Sequence, residues 1–346
     1  MSFAKPEYSK KQINRAGDIL ISDDASLSDR VFADQVLTNY RAAHGYPINT
    51  FQATLRSKLK SIDEKAIVAQ RLKRTPSIVL KLRRFEGMKL ARMQDIGGLR
   101  AVVSTVARVR KLESSYMQSS FLHELVSSKD YLADPKADGY RGIHLIYKYS
   151  NPRAVEYDGL SLELQIRTRL QHAWATAVET MGTFLGQALK SGQGEEQWRE
   201  FFAVASAALA DLEKTTPVPG FESCTTQQIY ERLHASEQRL RVLEKLRGFA
   251  IATDRITTER GQGGYHLITL DSLKRTVSIR PFAVAKLEEA NIAYAAIEAR
   301  TKSGEPVEAV LVSAGPVESL RKAYPNYFLD TQVFVKQIQR FIEGLQ

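Results

Sequence analysis

Leu162-Glu163-Leu164-Gln165-Ile166-Arg167-Thr168 alternates apolar and polar residues without a break. A period of two is that of a half-buried strand. Leu162, Leu164 and Ile166 then share one face, and Glu163, Gln165 and Arg167 share the other. A carboxylate, an amide and a guanidinium in a row fit a solvated sheet face, since alternating polar positions usually just meet water. They equally fit the floor of a site that handles phosphate and a metal. The segments on either side bear on which it is.

Upstream, Ala66 to Lys73 reads as a strand that ends basic. Thr75 is placed to cap a helix whose first residue is Pro76. Arg71, Lys73, Arg74 and Ser77 then cluster at a helix N-terminus, where backbone N–H groups and the helix dipole favour an anion. Lys81 lies one turn on, on the same face as Ser77. This place suits a polyphosphate, and it equally suits a basic exposed helix. Asp95 precedes Gly97-Gly98 and a short apolar strand at Ala101–Val103. An Asp beside glycines is commonly a turn, but at the mouth of a buried strand it is also an oxygen ligand for a hard divalent ion. Asp138-Gly139 signals a tight turn. It leads to Tyr140 and Arg141 and a strand with Ile143, Leu145 and Tyr147 on one face. A ring at that entrance can stack on a base, with Lys136 and Arg141 reaching phosphate. Taken singly, Tyr140 reads as a packed aromatic and His144 as a satisfied histidine.

The chain of 346 residues is 43% apolar and 25% charged, enough for two domains with a sizeable core. Its one cysteine, Cys224, excludes an internal disulfide, and no Cys/His cluster has zinc spacing, which fits a reducing cytoplasm. No apolar run is long enough for a bilayer and no signal core opens the chain, so no membrane partner is expected. A net charge of +10 favours polyanionic partners such as nucleotides or tRNA.

Ser26–Ser61 reads as two helices broken at Gly45-Tyr46-Pro47. Val106–Met117 reads as a helix and Phe121–Ser127 as a strand. Long helices are expected over Thr168–Lys190, with Leu170, Trp174, Ala177, Val178 and Met181 buried, and over Glu195–Leu212. Pro217-Val218-Pro219-Gly220 is the best linker signal, and Gln227–Arg247 reads as a charged amphipathic helix. Beyond it, strands are expected at 249–251, 265–270 and 276–279, with a turn at Gly261–Gly264. A helix at 283–289, strands at 293–299 and 307–312, and helices at 317–324 and 331–343 follow. The division is therefore 1–216, a connecting segment 217–247, and a small α+β domain over 248–346 with a possible regulatory role.

Four ordered motifs now resemble one family. They are R-x-K-x-x-x-S-I-x-x-K-L at Arg71–Leu82, D-I-x-G-x-R at Asp95–Arg100, D-G-Y-R-x-x-H at Asp138–His144 and E-x-Q-I-R-T at Glu163–Thr168. Together they resemble the RelA/SpoT synthetase domain over roughly Ala66 to Glu179. The resemblance implies an α+β fold with a nucleotidyltransferase-like mixed sheet flanked by helices. It implies a pyrophosphokinase that moves the β,γ-diphosphate of ATP to a ribose 3′-hydroxyl with Mg²⁺ as cofactor. Residue by residue, Arg71, Lys73, Arg74, Ser77, Lys81 and Arg100 would hold ATP. Asp95 and Glu163 would bind the metal, with Glu163 also the general base. Gln165 and Arg167 would support that carboxylate and the acceptor. Tyr140 would stack on the acceptor base, with Lys136, Arg141 and His144 near the acceptor or the transferred phosphates. The sequence departs from the family at Asp138, where the long synthetases carry Asn, and at Gly142, where Ser is usual.

Three functions follow as expectations. The first is an alarmone synthetase acting on GDP, GTP or another purine nucleotide. The second is a toxin that pyrophosphorylates the 3′-CCA end of tRNA, with the C-terminal domain as inhibitor or sensor. The third is a non-catalytic nucleotide- or RNA-binding module. A homo-oligomer or a regulatory protein partner is compatible with each. No histidine–aspartate hydrolase motif precedes Ala66.

Overall fold

A computed structural model of the chain describes residues 3–118, 122–185, 189, 192, 194–243, 246, 265–271, 274, 276–303, 305, 307–313 and 332–344. The chain divides into two compact units, Met1–Lys129 with Ile143–Ile166, and Asp130–Gly142 with Arg167–Gln346.

The first unit opens with helices α1 (Lys10–Ile21), α2 (Leu27–Ala43) and α3 (Gly45–Ile62). Ser26 caps α2, its hydroxyl accepting from the Asp29 N–H. The expected break falls one residue earlier than read, at His44, and Gly45 already belongs to α3. Strand β1 (Ile67–Leu72) leads through a two-residue turn into α4 (Thr75–Arg84). Here the reading of Thr75 as cap is corrected: Arg74 is the N-cap, without a side-chain cap bond, and Thr75 is the first helical residue. The Thr75 hydroxyl is engaged elsewhere, accepting from Arg41. Strand β2 (Gly97–Val103), α5 (Val106–Met117), β3 (Glu124–Asp130), β4 (Ile143–Lys148) and β5 (Ser161–Thr168) follow. Strand β3 starts later than the expected Phe121, which itself lies outside the described residues.

The five strands form one sheet in the order β1-β2-β5-β4-β3, the helix-flanked α+β architecture that was expected. Leu162, Leu164 and Ile166 are fully buried while Glu163 and Gln165 are partly exposed, as the alternation requires. One layer of the core joins α1, α2 and α4 through Ile13, Val36, Leu37, Tyr40, Ile78, Leu82 and Ile96. Another is aromatic, with Phe51 of α3 stacked on Tyr116 at 5.9 Å and tilted against Tyr147 at 5.3 Å.

The second unit has a helical core. Helices α6 (Arg169–Leu185), α7 (Glu196–Glu213) and α8 (Thr226–Leu240) bury Trp174, Val178, Met181, Phe201, Phe202 and Leu233. Helix α8 ends at Arg241 in a left-handed conformation (φ 52°), short of the expected Arg247, which lies outside the described residues. The described part of α6 likewise stops at Leu185. Pro217–Gly220 is a packed turn within this unit rather than a loose linker, because Val218 is fully buried in the helical core.

A three-stranded antiparallel sheet, β7-β6-β8, combines β6 (Tyr265–Asp271), β7 (Thr276–Phe282) and β8 (Val307–Ser313). Helix α9 (Leu287–Lys302) covers it through Ala290, Ala293, Tyr294 and Ile297. The expected strand at 293–299 is thus the second half of this helix. Its apolar positions recur every three to four residues, and its alanines favour helix. The expected elements at 249–251, 261–264 and 317–324 lie outside the described residues. The last helix, α10 (Gln332–Glu343), buries Phe334, Val335, Ile338 and Phe341 in the core of α6 to α8. Among the described residues no helix is long and apolar enough to cross a membrane.

Candidate active site

In the first unit, the turn after β1 and the start of β2 bring the basic and acidic motifs together. The Lys73 N–H donates to the Ile96 carbonyl at 2.8 Å, tying the end of β1 to the residue after Asp95. Lys73 Nζ then lies 2.7 Å from Asp95 Oδ2, and Lys81 Nζ from α4 lies 3.0 Å from Oδ1. Each carboxylate oxygen holds one ammonium. Burial opposes the Asp95 charge, but the two lysines outweigh it and its pKa falls below the usual value. Arg74 caps α4 and Ser77 sits in its first turn, beside the N–H groups that favour an anion. Arg100 is buried on β2, opposite Ala69. Arg71 pairs with Gly98, and its side chain lies outside the described residues.

Arg41 is a member that the sequence reading missed. From the last turn of α2 it donates through Nε to the Lys73 carbonyl at 3.0 Å and through Nη1 to Thr75 Oγ1 at 3.2 Å. It therefore fastens the turn that aims Lys73 and α4. A lone Arg some thirty residues upstream carries no pattern that could have revealed this.

The other carboxylate sits on the same sheet. In the β4–β5 register His144 faces Gln165, with Glu163 two pairs along, opposite Ile146. His144 Nδ1 lies 2.8 Å from Glu163 Oε1, and Gln165 Nε2 donates to Oε2 at 2.8 Å. Burial would raise the Glu163 pKa. The bonds from His144 and Gln165, with Lys73 nearby, instead bring it down to about 2. Asp95 and Glu163 also feel each other: the Glu163 charge pushes the Asp95 pKa up, and Lys73 lowers both. Two ionised carboxylates and two lysines thus share one small region. Mg²⁺ usually takes one or two carboxylates plus substrate phosphates. This donor set fits that pattern, once phosphate draws the lysines from Asp95. Among the described residues no cluster of three or more His, Cys, Asp or Glu could hold a metal without substrate.

In the second unit, the Asp138-Gly139 turn holds Tyr140. Asp138 Oδ1 accepts from the Tyr140 N–H at 2.9 Å. Asn would offer the same oxygen, so this departure keeps the turn. Gly139 has φ 89°, and a Cβ there would lie 2.7 Å from Ser206 Cβ. Gly142 has φ 148°, a region that side chains rarely adopt. Arg167 Nη2 donates to Tyr140 Oη at 2.5 Å, with its guanidinium carbon 4.8 Å from the ring centroid. Lys136 is exposed, with Nζ 5.3 Å from the same ring and 4.8 Å from that of Tyr131.

Arg141 does not sit where the reading placed it. It is buried, with Nη1 3.3 Å from Glu213 Oε2 and 2.9 Å from Thr215 Oγ1, and Nε 3.2 Å from Ser206 Oγ. A guanidinium spent on internal partners is not placed to hold a phosphate. Glu213 and Ser206 come from α7, more than sixty residues along the chain, so no local signal pointed to them.

The comparisons with known proteins agree with the motifs. Residues 70–182 match the region found in RelA / SpoT proteins. The chain carries a RelA/SpoT-type domain. It is 33% identical over 112 residues to the GTP pyrophosphokinase YjbM of Bacillus subtilis (strain 168), an alignment covering 32% of this chain and 52% of that protein. It is 31% identical over 112 residues to the GTP pyrophosphokinase YwaC of the same organism, covering 31% and 52%. The chain thus spans about half the length of the curated relatives it matches. Among solved structures, the small alarmone synthetase 1 of Bacillus subtilis with its product pppGpp matches at 24% identity. That match covers 52% of this chain and 92% of the other, with a TM-score of 0.43. The small alarmone synthetase 2 of the same organism matches at 25% identity over 52% and 94%, with a TM-score of 0.42.

Proposed function

We propose that the RelA/SpoT-type domain is a pyrophosphokinase that transfers the β,γ-diphosphate of ATP to the ribose 3′-hydroxyl of GDP or GTP. The observation that carries this is the convergence of Lys73 and Lys81 on Asp95, with Glu163 held ionised nearby. The chain's similarity to two GTP pyrophosphokinases supports the guanine acceptor.

Phosphoryl transfer asks mainly for positioning and for charge opposite the moving group. Lys73 and Lys81 pair with Asp95 and would pass from it to the ATP phosphates. The start of α4, with Arg74 and Ser77, would hold further phosphate oxygens at the positive end of the helix. Arg71 and Arg100 are assigned to ATP by motif. Asp95 and Glu163 would hold Mg²⁺, whose charge supplies electrostatic stabilisation of the transferred diphosphate. A Glu163 pKa near 2 makes that carboxylate a weak base. It is better suited to orient the acceptor hydroxyl and hold metal than to remove a proton early. His144 and Gln165 keep it ionised and fixed in orientation. Tyr140 would stack on the acceptor base, Arg167 would fix the Tyr140 ring, and Lys136 would meet acceptor phosphate.

The test offers γ-labelled ATP with GDP, GTP, ADP or deacylated tRNA in turn. Label on GDP or GTP is the expected result, lost in Asp95→Ala and Glu163→Ala. Tyr140→Ala should raise the acceptor KM about tenfold or more, in line with the worth of one base–aromatic stack. Label on tRNA alone would replace the alarmone reading with translation arrest. Wild-type rates in both carboxylate variants would remove the site assignment.

A further inference from the structure

The buried network behind Tyr140 has one centre, Glu213. This residue ends α7 and its side chain is 8% exposed. Its Oε2 accepts from Arg141 Nη1 at 3.3 Å and from Gln171 Nε2 at 2.9 Å. Its Oε1 accepts from the Thr168 hydroxyl. Thr168 and Gln171 close the ring, since the Thr168 N–H donates to Gln171 Oε1 at 3.0 Å and the Gln171 N–H to Thr168 Oγ1 at 3.2 Å.

The positions of these partners matter. Arg141 directly follows Tyr140, and Thr168 directly follows Arg167. Tyr140 and Arg167 are bonded to each other through Oη and Nη2. A single carboxylate therefore pins both segments one residue beyond the pair they present. The turn is held a second time by α7, through Ser206, which donates to the Gly139 carbonyl at 2.6 Å. Helix electrostatics sharpen the point. A carboxylate in the last turn of a helix opposes the macrodipole, whereas the Arg141 guanidinium there is favoured. Glu213 stands against its own helix end and is balanced by Arg141. Removing its charge leaves a buried guanidinium without its counter-ion.

We propose that Glu213 is a positioning residue for the acceptor, fixing the Tyr140–Arg167 pair from behind. This rests on the reading of Tyr140 as the acceptor's stacking ring. Glu213 touches neither nucleotide. Its effect falls on acceptor binding and leaves ATP binding alone.

The experiment uses the full chain with ATP and GDP, each varied in turn, for wild type, Glu213→Gln and Thr168→Val. Thr168→Val removes one bond to Glu213 and leaves the charge pair, so it keeps the test open should Glu213→Gln fold poorly. The expected result is a GDP KM raised about tenfold in Glu213→Gln and a few-fold in Thr168→Val. The ATP KM stays within twofold in both, and Thr168→Ser, which restores the hydroxyl, returns the GDP KM to the wild-type value. A fall in kcat with both KM values unchanged, or equal rises in both, would mean a merely structural residue and overturn the proposal. Wild-type GDP KM in a folded variant would do the same. If wild type binds GDP but Tyr140→Ala leaves its KM unchanged, the stacking reading fails first and takes this proposal with it.

Discussion

His44 should make the fold sensitive to mild acid. It joins α2 to α3 and is fully buried. Its Nδ1–H donates to the Tyr40 carbonyl at 2.7 Å, and its ring meets Tyr40 edge-on at 5.0 Å. Gly97, at the start of the strand that follows Asp95, packs on it so closely that a Cβ there would lie 3.0 Å from His44 Cδ2. Such a site holds the neutral ring, and burial pulls the pKa from 6.5 down to about 4 despite the bond to Tyr40. In the unfolded chain the same ring takes a proton near 6.5. The folded state refuses that proton until about pH 4. The contribution to stability is therefore complete above about pH 6.5 and is lost as the pH falls toward 4. One pKa unit corresponds to about 1.4 kcal/mol, so the loss reaches about 2 kcal/mol by pH 5 and about 3 kcal/mol by pH 4. Urea unfolding of wild type and His44→Leu at pH 7.5, 6 and 5 isolates this share, because the other titrating groups are common to both. Wild type should lose about 2 kcal/mol more than the variant between pH 7.5 and 5. Parallel pH profiles would refute the reasoning.

Two further substitutions test the scaffold of the ATP side. Gly97→Ala places a methyl 2.9 Å from Leu162 Cδ2 as well as against His44. It should cost about 1–3 kcal/mol, read as a lower melting temperature, and an unchanged melting temperature would show that the contact relaxes freely. Arg41→Ala removes the two bonds that fasten the Lys73–Thr75 turn. It should raise the ATP KM by up to about thirtyfold, two bonds at about 1 kcal/mol each, while the acceptor KM stays put. A change confined to the acceptor would contradict the assignment of that turn to ATP.

Much of the local structure was legible because local pattern governs it. The alternation at 162–168 gave β5, and Ser26 before an apolar stripe gave α2 its start. Helix α1 went unread although Ser9 and Gln12 form a capping box, a signal present in the sequence. The strand expected at 293–299 failed because the run was read apart from Ala290; taken together, Ala290, Ala293, Tyr294 and Ile297 keep a helical spacing that packs on the sheet. Thr75 looked like a cap by residue type. Its hydroxyl instead serves Arg41, a contact that exists only after α2 folds beside α4.

The sequence by itself determined which chemical groups are present and in what order. Lysines precede Asp95, a glycine turn precedes Tyr140, and Glu163, Gln165 and Arg167 fall on one strand face. These follow from spacing and from the geometry of single elements, which need no distant partner. Tertiary structure alone decided what each charge is paired with. It placed Lys73 and Lys81 on opposite oxygens of Asp95, set His144 against Glu163, and turned Arg141 inward to Glu213. The physical reason is desolvation. A charge leaving water must find its counter-charge in space, and that partner here comes from segments that the linear order keeps far apart.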